Sequence, residues 1–371
     1  MCVAASLSLD KVMIMRHALL AKVLKSLGKV AVIGLLATSA FAANSPALTA
    51  YQVDLSKTSV SGLSSGAFMA VQFQVAYSSM LVGAGVVAGG PFYCAGFSPF
   101  TPFVVNATTI CMNPLPGFAP DAGALLEQAR IFVKLGDIDD VGNLKNGKFY
   151  VFSGTADKVV TTAVVNQTAA FYRLAGVPEQ NLRYVSDVNA GHSIITNNKQ
   201  DVACATTASP FINDCDFIQS QEILKHIYGD LNPPASQLSG KIIKFDQREF
   251  VHSFLSSMSN DAYAYVPQSC ETVTCKVHVA FHGCEQGATK IGNLFYATTG
   301  YNELADTNDI IVLYPQVQSS SGFFSAVNPQ GCWDFWGYSS MNQFAPNFYS
   351  KRAPQMVAVK EMLDRLAKPR K

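Results

Sequence analysis

Gly62-Leu63-Ser64-Ser65-Gly66 sets one serine between two glycines, after a short β-like run and before an amphipathic stretch. A strand that turns sharply into a helix at such a serine lifts its hydroxyl clear of the backbone. The chemistry this offers is acyl transfer. A serine hydroxyl is a poor nucleophile at neutral pH, so it needs an imidazole to take its proton and a carboxylate to hold that imidazole. A Ser/Gly turn capping a helix is the bland alternative; the strand before and the small Gly66 and Ala67 after favour the first reading.

Where a strand–turn–helix carries the serine, its partners follow in the order Ser, Asp or Glu, His, on loops just past strand ends. Asp157 follows the apolar run Phe149–Phe152, and His192 follows Leu182–Val185, flanked by Gly191 and Ser193. The other histidines fit less well. His226 reads as mid-helix, His252 lies in an undistinguished stretch, His278 is inside a strand, and His282 belongs to another loop. Asp187 competes with Asp157 but sits on the same strand exit as His192, while Asp137, Asp139 and Asp140 read as a solvated acidic turn. The expected nucleophile, carboxylate and base are therefore Ser64, Asp157 and His192.

A tetrahedral intermediate also needs an oxyanion hole. One donor is expected to be the backbone N–H of Ser65, the residue after the nucleophile. The second is assigned to Cys284 N–H, because the apolar strand Val277–Phe281 runs directly into His282-Gly283-Cys284.

These loops need strands to carry them. Strand and helix signals alternate, which predicts a mostly parallel sheet covered by helices. Strands are expected at 58–61, 82–88, 148–152, 182–185, 242–245, 262–266, 277–281 and 310–314. Helices are expected at 67–80, 122–135, 160–175, 217–228, ending at 306, and at 354–366, with an aromatic, Pro-rich loop from Pro91 to Pro120.

The chain has 371 residues, 49% hydrophobic and 14% charged, with a formal charge of +1. No basic run suggests a nucleic-acid partner. Residues 1–42 read as a secretory signal: Lys11, Arg16, Lys22, Lys25 and Lys29 precede an apolar stretch at Val30–Ala37, then Ala40-Phe41-Ala42. Its apolar core is too short for comfortable bilayer spanning. Removing it takes five basic residues and one acidic one, so the formal charge falls from +1 to −3. A single catalytic domain over 43–371, secreted to the periplasm or the medium and monomeric, is expected, with no stable membrane span.

Cysteine usage agrees with export. Cys2 leaves with the signal, and eight remain, an even number that favours disulfides in an oxidising compartment. Close spacing suggests Cys94–Cys111, Cys204–Cys215, Cys270–Cys275 and Cys284–Cys332, out of roughly a hundred possible connectivities. No Cys-x-x-Cys occurs, so neither a metal nor a cofactor is expected.

Chain order carries a further message. In an ordinary α/β-hydrolase the His-Gly strand precedes the nucleophile strand; here Cys284 follows Ser64 by 220 residues. A circular permutation explains that order. At Gly62–Ala67, Gly154–Asp157, Ala190–Ser193, Phe281–Cys284 and Gly331–Tyr338 the chain resembles the single-domain, circularly permuted extracellular poly(3-hydroxybutyrate) depolymerases, over nearly all of residues 50–366. The resemblance implies an α/β-hydrolase fold, Ser64, Asp157 and His192 as triad, Ser65 and Cys284 as oxyanion donors, and a tryptophan in the cleft, by position Trp336 or Trp333. It implies a polyester or its oligomers as substrate. Larger relatives carry a Thr-rich linker and a polymer-binding domain; neither is expected here, so crystalline polymer is a poor expected substrate.

The His-Gly-Cys and Cys-Trp-Asp stretches also resemble feruloyl and acetyl esterases acting on plant polysaccharide, the alternative reading. Two aromatic clusters, Phe92, Tyr93, Phe97, Phe100 and Phe103, and Phe323, Phe324, Trp333, Phe335 and Trp336, are either packing or an apolar rim for an insoluble substrate. The sequons at Asn106 and Asn166 read as chance.

Overall fold

The computed structural model describes residues 45–321 and 326–370. The expected signal at 1–42 lies outside the described residues, as do Phe323 and Phe324.

Apolar runs without alternation, such as Leu81–Val87 and Ile310–Tyr314, belong to strands covered on both faces. They assemble with the rest into an eight-stranded sheet. Its strands are β1 (Thr58–Leu63), β2 (Leu81–Val87), β3 (Lys148–Phe152), β4 (Leu182–Val185), β8 (Lys241–Asp246), β9 (Asp261–Val266), β10 (Lys276–Phe281) and β11 (Ile310–Tyr314). The spatial order is β4-β3-β2-β1-β10-β11-β9-β8. Every neighbouring pair from β4 to β11 is parallel, and β9 is antiparallel to both its neighbours. Central β1 thus lies between a strand that follows it closely and one from the last third of the chain. This is the α/β-hydrolase arrangement entered at a different point, as the order of motifs predicts.

Helices cover the sheet: α1 (Ser65–Ala76), α3 (Ala122–Lys134), α4 (Thr162–Leu174), α5 (Gln219–Tyr228), α8 (Tyr301–Asp306) and α9 (Pro354–Ala367), with shorter α2 (Phe103–Thr108), α6 (Ala288–Ile291) and α7 (Leu294–Thr298). All twelve residues of α1 are buried, so its missing amphipathicity marks a central helix. Leu366 O accepts from Tyr51 N–H (3.0 Å) and Val53 N–H (3.2 Å), so α9 closes against the segment that leads into β1. Among the described residues no helix is long and apolar enough to cross a membrane.

Three features differ from expectation. Pro91–Pro120 contains α2 and is stapled by the Cys94–Cys111 disulfide. A small sheet of β5 (Ile194–Thr196), β6 (Val202–Ala203) and β7 (Ile212–Asp214) follows β4; strands this short show no alternation to read. The acidic turn is solvated only at Asp140: buried Asp137 pairs with Arg352, and half-buried Asp139 with Lys351 and Ser79. Arg352 and Lys351 lie more than 200 residues away, beyond any local pattern. The sequon at Asn106 is closed, since its side chain is buried and donates to Ala95 O and Ser98 O. All four disulfides join the pairs that spacing suggests.

Beneath β1 lies a polar cluster. Ser59 Oγ and Ser61 Oγ each stand 2.7 Å from one ring nitrogen of His278 on the adjoining strand, and Tyr228 and Tyr301 hydroxyls complete the chain at 2.8 and 2.6 Å. Burial drives the His278 pKa down to about 3, so the ring is neutral and can donate to one serine while accepting from the other. Burial likewise lowers His282 to about 4 against the opposing pull of its backbone partners. Both shifts have the same sign for stability. The unfolded chain takes up protons below pH about 6.5 that the folded chain refuses until pH falls near these lowered values. The urea midpoint is therefore expected to drop steadily as pH is lowered from about 6.5 towards 4. A flat midpoint across that window, measured by tyrosine and tryptophan fluorescence, would contradict the two neutral rings.

Candidate active site

Ser64 sits where β1 becomes α1. Its backbone, φ 58° and ψ −125°, is one that side chains rarely adopt, and Ser64 N–H is held by Val87 O at 2.9 Å. The turn tolerates no bulk on either side. A Cβ on Gly62 would overlap the carbonyl of Gly66, and one on Gly66 would overlap the carbonyls of Phe281 and His282. The two glycines therefore let the turn at Ser64 close against the end of β10.

Asp157 and His192 leave the C-terminal ends of the neighbouring parallel strands β3 and β4, so their loops run side by side. Thr155 N–H bonds Val188 O at 2.9 Å and Ala156 N–H bonds Ala190 O at 3.1 Å, which ties the loops together. His192 Nδ1 lies 2.7 Å from Asp157 Oδ2, and both residues are buried. The other carboxylate oxygen accepts from Val159 N–H (2.7 Å) and Val160 N–H (3.1 Å). With the carboxylate accepting, Nδ1 carries the proton and Nε2 presents its lone pair. Asp187 is exposed and takes no part. Ser64 and His192 line one cavity, but no hydrogen bond joins them in this structure.

Among the described residues the Ser65 and Cys284 N–H groups donate to no protein acceptor, whereas Ser64, Gly283 and Glu285 N–H each have one. Ser65 N–H is the first of α1, so it lacks an intrahelical partner by geometry. Cys284 is bracketed. Gly283 N–H donates to Gln286 Oε1 (2.7 Å), Glu285 N–H to Gln330 O (2.7 Å), and the Cys284–Cys332 disulfide anchors the loop from the other side. Neutral His282 clamps the same loop, its Nδ1 bonded to Gly283 O at 2.7 Å and its Nε2 accepting from Val317 N–H at 3.2 Å.

Two cavities meet at Ser64, Met112, Cys284 and Gln330. The larger, about 330 Å³, is lined mainly by apolar groups including Phe68, Val104, Val160, Phe335 and Trp336. The smaller, about 230 Å³, contains His192, Val159, Phe211 and Glu285. Of the two tryptophans offered for the cleft position, Trp336 lines the larger cavity. Trp333 does not: it is fully buried against Phe281 and His282, below the site. Sequence spacing missed what holds Trp336 in place. Asp334, buried, accepts from the N–H groups of Trp336 (3.1 Å), Gly337 (2.6 Å), Tyr338 (3.1 Å) and Ser339 (2.9 Å), and so fixes the turn. Gln286 and Met112 were missed too, because their roles depend on loops meeting in space. Among the described residues no group of His, Cys, Asp and Glu is placed to hold a metal ion.

No family model matches the chain. It is 43% identical over 333 residues to a poly(3-hydroxybutyrate) depolymerase of Delftia acidovorans, covering 88% of this chain and 62% of the relative. It therefore spans less than two thirds of that protein. It is 37% identical over 311 residues to a polyhydroxybutyrate depolymerase of Talaromyces funiculosus, covering 80% of this chain and 86% of the relative. A crystal structure of the PHB depolymerase from Penicillium funiculosum matches with a TM-score of 0.75 and 34% identity, over 86% of this chain and 98% of that one. A PHB depolymerase complexed with an R3HB trimer matches with a TM-score of 0.76, 34% identity and the same coverage.

The glycine turn yields a direct test. Gly66→Ala must push the Phe281 and His282 carbonyls away, and is expected to cost about 1–3 kcal/mol of stability by chemical denaturation. An unchanged denaturation midpoint would show that the close approach is not a constraint.

Proposed function

The chain belongs to the poly(3-hydroxybutyrate) depolymerases, and from that we propose that it is an exported serine esterase hydrolysing poly(3-hydroxybutyrate) or its oligomers. The observation that carries this reading is the buried 2.7 Å contact of His192 Nδ1 with Asp157, on a ring whose other edge opens into the cavity holding Ser64.

In the proposed reaction Ser64 Oγ attacks the ester carbonyl carbon as His192 Nε2 takes its proton. Asp157 keeps the ring in the required tautomer and steadies the imidazolium that forms. Carbonyl electrons move onto oxygen, where the Ser65 and Cys284 N–H groups are free to donate. Collapse expels the alcohol, which takes the proton from Nε2. Water, deprotonated by the same ring, then cleaves the acyl-enzyme and restores Ser64. The Ser64–His192 contact must close for the first step, and catalytic hydrogen bonds of this kind tighten in the substrate complex.

Several features support a polyester substrate. The larger cavity is lined by apolar and neutral side chains, which suits an uncharged alkyl ester. Val104 and Val327 carry that lining out to solvent, and Phe100, Leu115 and Phe118 are exposed on the segments flanking α2. We assign this rim to contact with an insoluble substrate. Phe92 plays no such part, being fully buried in the core. The four disulfides support residence in an oxidising compartment.

Ser64→Ala is expected to abolish ester turnover and labelling by a fluorophosphonate while leaving the thermal transition in place. Retained activity would assign the nucleophile wrongly. Amorphous poly(3-hydroxybutyrate) is expected to be cleared to soluble hydroxyacids while methyl ferulate is turned over poorly; the reverse preference would favour a polysaccharide esterase.

A further inference from the structure

Resting on the ester-hydrolase reading, the two cavities at Ser64 can be told apart by the proton they must handle. The leaving oxygen takes its proton from His192, so the alcohol half of the ester must lie in the cavity that contains His192. The acyl half then lies in the cavity that touches Ser65 and Trp336 but not His192.

The two linings differ in charge. The acyl cavity has no ionisable side chain. The alcohol cavity has one besides His192, the carboxylate of Glu285. Glu285 is half-buried, and no hydrogen bond or ion pair engages its side chain among the described residues. Its backbone is left-handed, φ 59°, a conformation that disfavours a side chain of this kind. Glu285 N–H to Gln330 O and the disulfide at Cys284 hold it there. Neither packing nor pairing accounts for a carboxylate at this point.

A polyester of hydroxyacids has direction. From any ester bond, the acyl half leads to the hydroxyl end of the chain and the alcohol half to the carboxyl end. We propose that Glu285 is a charge filter on the alcohol side, disfavouring esters of 3-hydroxyalkanoates whose leaving half ends in a free carboxylate inside that cavity. An interior bond places a neutral ester beside Glu285. The bond nearest the carboxyl end places an anion there. Glu285 thus steers cleavage away from carboxyl ends, and repels a short hydroxyacid once it is released.

The test uses the 3-hydroxybutyrate dimer, as the free acid and as its N-methylamide, with wild type and Glu285→Gln. Only the ratio of kcat/KM values between the two substrates is read, so any general effect of the substitution cancels. In wild type the amide is expected to be preferred about tenfold at low salt, the size of a like-charge contact in a partly solvated site. Glu285→Gln should bring the ratio close to one, and raising the salt should narrow it in wild type. Equal ratios in the two proteins, or a wild-type ratio near one, would overturn the proposal. Should the variant fail to fold, the wild-type salt dependence decides alone, and a ratio indifferent to salt is then fatal. Turnover of p-nitrophenyl butyrate, which carries no carboxylate, is measured alongside. Its absence in wild type would sink the esterase reading rather than the charge filter.

Discussion

The site depends on one close approach, that of the turn after β1 to the end of β10. Ser61 and Gly62 lie in register with Ala280 and Phe281, and the backbone of Gly66 meets the carbonyls of Phe281 and His282 with no space for a Cβ. Two strands that are far apart in sequence therefore end at the same level and within backbone contact. The consequence is that Ser65 and Cys284, one from each strand's exit, line the same cavity as Ser64. An oxyanion site made of main-chain groups is only as accurate as the pairing of the strands that carry it.

That pairing is reinforced by polar groups rather than by apolar packing alone. His278 bridges Ser59 and Ser61 across the β1–β10 boundary, and His282 pins the loop beyond β10 to Val317. Both rings are neutral because burial penalises the charged form. A neutral imidazole offers one donor and one acceptor in a fixed plane, so each ring specifies register in a way that a leucine could not. The Cys284–Cys332 disulfide and the bond from Trp333 N–H to Ser65 Oγ (3.2 Å) extend the same constraint to the wall bearing Trp336.

Much of the architecture is legible in the residues. Lys148–Phe152, Leu182–Val185 and Ile310–Tyr314 have the bounds that their residues predict, and Ile310–Tyr314, buried at every position, leaves no ambiguity of phase. Ser64, Asp157 and His192 stand out because each follows a strand and few other residues of their type do. Elsewhere the pattern is silent. Trp333 and Trp336 are three residues apart in a segment without secondary structure, so nothing local says which one faces the cavity. Asp137 and Asp139 look solvated because Arg352 and Lys351 are remote. Glu285 is unremarkable as a letter in the chain. Its position acquires meaning only when a loop, a disulfide and a cavity converge on it.

The cyclic order of strands has a consequence for how the molecule comes into being. A ribosome delivers β1 and β2 early, but β10, which covers the other edge of β1, emerges more than 200 residues after β1. Until then the central strand of the future sheet has one row of unpaired amides and carbonyls, a template for pairing with other nascent chains. No N-terminal fragment that stops before Phe281 can assemble the Ser64 cavity, since the Gly283–Gln286 loop that lines it has not yet been synthesised. The cavity at Ser64 is complete only near the close of synthesis, when β10 and β11 add to the edge of β1 that the first third left open.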